Sequence, residues 1–311
     1  MKFARPYAEP TPRGLSRRWC VALLGAAALR ADSEPTLVHE WRKIAAGIDG
    51  MIGASALHIE SRFQASLHGA NHFPLASVCK TPIAMNMLAL VDAGKFYLDD
   101  KIEVLPEEVT TSVSPIGERW PREHSFRLDE MLELMIAKSD NTAVETLYRV
   151  GGGSPAMTER FRQWGAEGIR IDRTEKQCGI DARASMHRFL GDPRDTATPD
   201  GMVAFLRRAY RGELLSARST ARLFRMMEAT TTGPGRIKAL LPAGTVVAHK
   251  TGTTTTVNGL NGSTNDVGVI TLPQGAGHLA VAFFVKGSRR ADAVRELAIA
   301  SLARAAYEAC V

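Results

Sequence analysis

Apolar residues recur at helical spacing through Leu37, Trp41, Ile44, Ala45 and Ile48, and Gly50 closes the run, which predicts a helix over residues 37–48. The pattern then changes period. Met51 to Glu60 and Arg62 to Leu67 predict two strands joined by a tight turn, followed by a loop rich in Gly, Asn, His and Pro. From there to about residue 219 the signals are helical. An apolar run from Ile83 to Val91 ends at Gly94, and Leu128, Met131, Leu132, Met135 and Ile136 make one amphipathic stripe. Ser154-Pro155 reads as a cap followed by proline at the first helical position, with Gly165 past the end, and Thr198-Pro199 opens another helix that closes near Gly212.

After residue 245 the pattern returns to strands at Thr245 to His249, Val267 to Leu272 and Leu279 to Val285. A last helix from about Ala291 aligns Val294, Leu297, Ala298, Leu302 and Ala305 on one face. A helix and two strands at the start, with three strands and a helix at the end, predict an α/β fold of the α+β sandwich type. Its five-stranded antiparallel sheet is flanked by the N- and C-terminal helices, and an all-helical lobe is inserted into it. The sheet lobe is expected over residues 32–72 and 220–311, the helical lobe over 73–219, and the active site in the cleft between them.

Composition changes this picture only at the N-terminus. The 311 residues are 45% hydrophobic and 23% charged, ordinary globular usage with a formal charge of +6. Lys2, Arg5, Arg13, Arg17, Arg18 and Arg30 against Glu9 alone give residues 1–31 a net charge of +5, so the rest of the chain carries about +1. No basic patch remains, which argues against a nucleic-acid partner. Residues 1–31 read as a signal peptide: a polar, basic stretch to Arg17-Arg18, an apolar stretch from Trp19 to Leu29 too short to span a bilayer, and small residues for cleavage. The arginine pair suggests twin-arginine export. The expected localisation is periplasmic or secreted, with no stable membrane association after export. Cys79, Cys178 and Cys310 then remain, an odd number, and no Cys-x-x-Cys or His-Glu-x-x-His supports a metal site. No cofactor is expected.

Candidate chemistry centres on Ser77-x-x-Lys80, at the head of the Ile83–Val91 helix. A serine there meets unpaired N–H groups of a first turn and, one turn on, an amine that can take its proton. The pair alone is common. Ser139-Asp140-Asn141, after the amphipathic helix, and Lys250-Thr251-Gly252, on the first C-terminal strand, are each expected by chance only ~0.05–0.1 times in a chain of this length.

The three motifs in this order resemble those of the class A serine β-lactamases, over roughly residues 35–310. Asp172-Arg-Thr-Glu175 with Gly191-Asp-Pro-Arg-Asp-Thr196 resembles the two ends of that family's omega loop, closed by an Arg173–Asp195 ion pair. The resemblance implies Ser77 as nucleophile, Lys80 or Glu175 (the latter through water) as its base, and Ser139 as relay to the leaving nitrogen. Glu175 would activate the deacylating water. Asn141 would bind the substrate's side-chain amide. Lys250, Thr251, Gly252 and Thr253 would bind its carboxylate, with Arg236 behind it, and the backbone N–H groups of Ser77 and Thr253 would form the oxyanion hole. The implied partner is a small-molecule β-lactam and the implied state a monomer.

Departures from the family pattern are expected to matter. The omega loop is longer than usual, and Gly179 stands where the family has an asparagine that helps hold the water, which predicts slower deacylation. Val113 takes the position of an aromatic gatekeeper, with Trp120 nearby. The segment Thr253 to Thr264 is longer than the family's hairpin, and the two enlargements together predict a wide cleft and a cephalosporin preference. A D,D-peptidase would form the same acyl-enzyme without Glu175, and a β-lactam sensor would form it and keep it.

Overall fold

The computed structural model describes residues 33–311, so the signal peptide expected over residues 1–31 lies outside the described residues. Helix α1 (Ser33–Ala45) leads into β1 (Met51–His58), β2 (Gln64–Leu67) and β3 (Phe73–Pro74). A 3-10 turn, Ala76–Cys79, then opens α2 (Lys80–Asp92), and β4 (Lys101–Glu103), α3 (Pro115–Arg119), β5 (Ser125–Arg127), α4 (Leu128–Ala137), α5 (Asn141–Val150) and α6 (Gly153–Trp164) follow. Two further helices, α7 (Glu175–Ala184) and α8 (Met186–Gly191), precede β6 (Thr196–Ala197), α9 (Pro199–Tyr210) and α10 (Ala217–Glu228). The chain closes with β7 (Val247–Thr253), β8 (Thr256–Val257), β9 (Leu260–Thr271), β10 (His278–Ser288) and α11 (Asp292–Glu308).

The five expected strands form one antiparallel sheet in the order β2-β1-β10-β9-β7. A sixth, the two-residue β8, folds back on β9. Alternation along β10 shows why the sheet needs cover on both faces. Leu279, Val281, Phe283 and Val285 pack with the terminal helices, whereas Ala280, Ala282 and Phe284 pack with the helical lobe. Trp41 of α1 is fully buried, sets its ring edge-on to Phe283 and donates its indole N–H to Leu302 O at 3.1 Å. Truncating such a side chain costs about 3–5 kcal/mol, so the terminal helices are integral to the sheet.

Several expectations about elements need correcting, the first being the all-helical lobe, which carries the short strand pairs β4–β5 and β3–β6. β9 begins at Leu260, seven residues before the strand expected from the apolar run. Its first half, Asn261 to Asp266, carries no apolar signal, yet it is buried with most of its polar groups paired: Asn261 Nδ2 donates to Thr254 O and Asn265 Nδ2 to Pro74 O and Leu75 O, while Asn265 Oδ1 has no partner among the described residues. On α11 the expected face is wrong at two positions, since Val294 and Leu297 are exposed and Ile299, Leu302, Ala303 and Ala306 are buried. So alanine-rich a helix supports more than one apolar stripe. α6 starts at Gly153, behind a left-handed Gly152, so Ser154-Pro155 falls inside the first turn rather than forming the cap. Ser77 lies in the 3-10 turn before α2 rather than on the α-helix itself.

Candidate active site

Three elements bring the three motifs to one cleft of about 760 Å³. The 3-10 turn and first turn of α2 supply Ser77 and Lys80. The α4–α5 connection supplies Ser139 and Asn141, its geometry held by Asp140, which caps α5 by accepting from Ala143 N. The sheet's edge strand β7 supplies Lys250, Thr251, Gly252 and Thr253. Gly252 is needed for this close approach: a Cβ there would lie 2.7 Å from Leu75 O and 3.1 Å from Ser77 N. Four non-glycine residues with positive φ line the cleft, Ala76, Val113, Ser139 and Asp195. Backbone strain of this kind persists only where surrounding contacts hold it.

Lys80 is wholly buried, and its Nζ is the hub. It donates to Ser77 Oγ (3.0 Å), Ser139 O (2.8 Å), Ser139 Oγ (3.2 Å) and Asn141 Oδ1 (2.6 Å), and lies 2.9 Å from Glu175 Oε2. Three ammonium protons serve five acceptors, so they are shared among them. Ser77 Oγ donates in turn to Glu175 Oε1 at 2.6 Å. The carboxylate therefore reaches the hydroxyl directly, not through the water that the family resemblance implied.

Lys250 Nζ donates to Ser139 Oγ at 3.0 Å and to Thr251 O at 2.9 Å. Burial, reinforced by the neighbouring Lys80 charge, lowers its pKa to about 7. Ser139 Oγ thus accepts from both lysines, which leaves its own proton free to point elsewhere. Arg236 is buried and lies behind β7. It donates to Gly252 O (3.1 Å), Asn265 O (2.8 Å) and Thr253 Oγ1 (2.6 Å), and its Nε pairs with Glu296 at 3.0 Å. It also lines the cleft itself, beside the Thr253 hydroxyl that it holds.

Glu175 comes from the opposite wall. It opens α7, which Thr174 caps by accepting from Gln177 N at 3.2 Å. The expected Arg173–Asp195 pair is present at 2.6 Å, and Arg173 also reaches Asp181 at 2.6 Å and Asp192 at 3.3 Å. The extra length between Glu175 and Gly191 is thus two short helices. Ala182, Met186 and Phe189 form a small cluster with Leu260, against which Val257 packs, so the enlarged loop rests on the enlarged hairpin. The hairpin itself turns at Asn258-Gly259, both with positive φ, the backbone that an Asn-Gly pair favours. Val113 is exposed and lines the cleft, while Trp120 packs on the helical core and does not line it.

Two contributors escaped the sequence reading. Glu145, four residues after Asn141 and so on the same face of α5, is buried and accepts from Lys176 N at 2.8 Å. Burial raises its carboxyl above the usual range. Thr232, four residues before Arg236, sets its hydroxyl 2.5 Å from that of Thr251. Cys79 is a buried thiol whose pKa burial pushes up, which fits packing rather than reactivity, and Cys178 is shifted the same way.

A sandwich of this topology, with a serine, two lysines and a carboxylate converging between its lobes, defines the class. The chain belongs to the β-lactamase enzyme family, whose sequence model matches residues 36–310, and its relatives place it with the class A members. It is 32% identical to the β-lactamase VEB-1 of Pseudomonas aeruginosa over 81% of this chain and 83% of that protein. It is also 32% identical to the extended-spectrum β-lactamase PER-1 of the same organism, over 88% and 87%. Among solved structures, TLA-1 extended-spectrum β-lactamase superposes with a TM-score of 0.83 at 31% identity, covering 89% of this chain and 99% of that one. A β-lactamase from Chitinophaga pinensis gives 0.82 at 32%, covering 89% and 100%.

Proposed function

We propose that this protein hydrolyses the amide bond of β-lactams through an acyl-enzyme on Ser77. The observation that carries the reading is the Ser77 hydroxyl itself, held as acceptor by Lys80 at 3.0 Å and as donor to Glu175 at 2.6 Å. Ser77 Oγ attacks the lactam carbonyl carbon as its proton passes to Glu175 Oε1. The oxyanion is held by the N–H groups of Ser77 and Thr253, whose approach Gly252 permits. As the C–N bond breaks, Ser139 gives its proton to the lactam nitrogen and is resupplied by Lys80. Lys80 recovers the proton that Glu175 took, across their 2.9 Å contact. Lys250, Thr251 and Thr253, the last backed by Arg236, bind the substrate carboxylate, and Asn141 orients the side-chain amide. In the second half, Glu175 takes a proton from water as the water attacks the ester, and passes that proton to Ser77 Oγ as the ester bond breaks, which restores both the hydroxyl and the carboxylate.

The direct Ser77–Glu175 contact favours a second feature of this reading, slow deacylation. A water that attacks the ester must sit between groups now 2.6 Å apart, so the Glu175 carboxylate has to withdraw. The Glu145 bond to Lys176 N restrains that turn, and Gly179 offers no side-chain amide to hold the water. Substrates are penicillins or cephalosporins. The leaning of the packed loop and hairpin toward bulky cephalosporins belongs to the same proposal, as do export of the chain after removal of residues 1–31 and action as a monomer. Among the described residues no helix is long and apolar enough to cross a membrane.

Mixing the protein with a chromogenic cephalosporin while following both hydrolysis and intact mass tests the reading. Many turnovers from the wild type, and neither hydrolysis nor adduct from Ser77→Ala, are expected. A single stoichiometric burst from the wild type would favour a sensor or D,D-peptidase instead.

A further inference from the structure

Glu175, Gly179 and Arg183 stand at i, i+4 and i+8 on α7, so they share one face of that helix, and all three line the cleft. Long side chains on a helix lean back toward its N-terminus, and Arg183 does so: a Cβ built on Gly179 would lie 3.3 Å from Arg183 Nη1 and 3.5 Å from Nη2. The guanidinium therefore lies over the bare Gly179 backbone, one turn and ~6 Å along the axis from Glu175. The residue that departs from the family pattern is the one that makes room for this arginine.

The other charged side chains along the cleft are committed. Glu175 pairs with Lys80, Arg173 with Asp195, Arg236 with Glu296, and the Lys176 ammonium donates to Glu107 O. Among the described residues, the Arg183 guanidinium has no hydrogen-bond or ion-pair partner, and it is exposed toward the cleft. A guanidinium offers a planar fork of donors matched to a carboxylate, and such charge-assisted pairs are the strong ones. Arg183 lines the same cleft as Asn141, which on the proposed function orients the side-chain amide, so the remainder of that acyl side chain would extend along this wall.

We propose that Arg183 reads an anionic group on the acyl side chain, so that the enzyme favours β-lactams carrying a second carboxylate there over neutral ones. This specificity rests on the β-lactamase reading above and concerns a different part of the substrate from the ring carboxylate bound by Lys250. Arg183 acts on binding and orientation, through the open floor that Gly179 provides. Two changes should weaken the preference: loss of the guanidinium, and rising ionic strength, which screens an exposed pair.

Benzylpenicillin and its α-carboxylated counterpart, carboxybenzylpenicillin, form a matched pair for the test. The quantity read is the ratio of kcat/KM, carboxylated over neutral, for wild type, Arg183→Gln and Arg183→Lys, at low and high salt. Wild type is expected to show a ratio above one that falls with salt. Arg183→Gln is expected to lower the ratio about tenfold, just under the range for a buried hydrogen bond to a charged group as suits an exposed one, and Arg183→Lys to restore part of it. A merely structural role for Arg183 would slow both substrates alike and leave the ratio unchanged, and that result overturns the proposal. So does a wild-type ratio below one. Turnover of benzylpenicillin with either of those outcomes leaves the β-lactamase reading standing. Absence of turnover and of adduct with both penicillins rejects the two together.

Discussion

Ser77, Lys80, Ser139 and Lys250 reach the cleft from two helical connections and a sheet strand, and both lysines are fully buried within shared hydrogen bonds. Glu175 reaches the same point from a loop of two short helices, held by the Arg173 carboxylate cluster and by a few apolar side chains resting on a hairpin. The first wall is over-determined: moving any one of its groups strands a partner inside the protein. The second is fastened mainly by polar anchors near its ends, so its carboxylate can shift without unfolding the sandwich. On the proposed mechanism the two walls divide the reaction. The rigid one forms the acyl-enzyme, and the adjustable one sets how quickly it is released.

The sharpest way to break that division is at the hub of the rigid wall. Lys80→Met should lower the acylation rate by about 10²–10⁴-fold, the range for loss of a positioned proton-transfer group, as read by the rate at which the adduct appears in intact-mass experiments. On the adjustable wall, Arg173→Ala leaves Asp195 buried without its charge partner and should cost about 3–5 kcal/mol in denaturant unfolding. It should also slow deacylation more than acylation, whereas equal slowing would contradict the division.

A smaller effect comes from pH. The Lys250 ammonium, lowered to about 7, loses its proton in the free enzyme as pH rises through that value. Its attraction for the substrate carboxylate is lost with it. KM should therefore climb above pH 7, approaching about tenfold per unit, and Lys250→Arg, which stays charged, should flatten the profile. The smallest change is Gly179→Asn. A side chain there meets only the mobile tip of Arg183, and the added amide should speed deacylation about threefold, less than 1 kcal/mol of barrier.

The same contrast separates what could be read from the chain and what could not. Ser77, Lys80, Ser139 and Lys250 were legible because their chemistry is local: short motifs at the ends of elements whose periodicity is plain. The sheet was legible where its strands are apolar on both faces, as in β10. It was not legible over Asn261 to Asp266, whose burial depends on partners such as Pro74 and Thr254 that only the tertiary fold brings near. Glu175 and the Arg173–Asp195 anchors could be found from sequence, but the two helices between them could not. Their packing partner, Leu260, lies on a distant hairpin. The direct reach of Glu175 to Ser77 likewise depends on how that loop settles, which no spacing of residues reports.

Glu175→Gln addresses the central claim most directly, because it removes the loop's carboxylate and leaves the rigid wall intact. Lys80, 3.0 Å from Ser77 Oγ, remains to hold and polarise the hydroxyl for acylation, whereas deacylation has Glu175 alone to activate the water. Time-resolved intact mass of Glu175→Gln with benzylpenicillin should show one equivalent of adduct on Ser77 that forms and then persists, with steady-state hydrolysis lost. Hydrolysis at the wild-type rate, or no adduct at any time, would contradict the account.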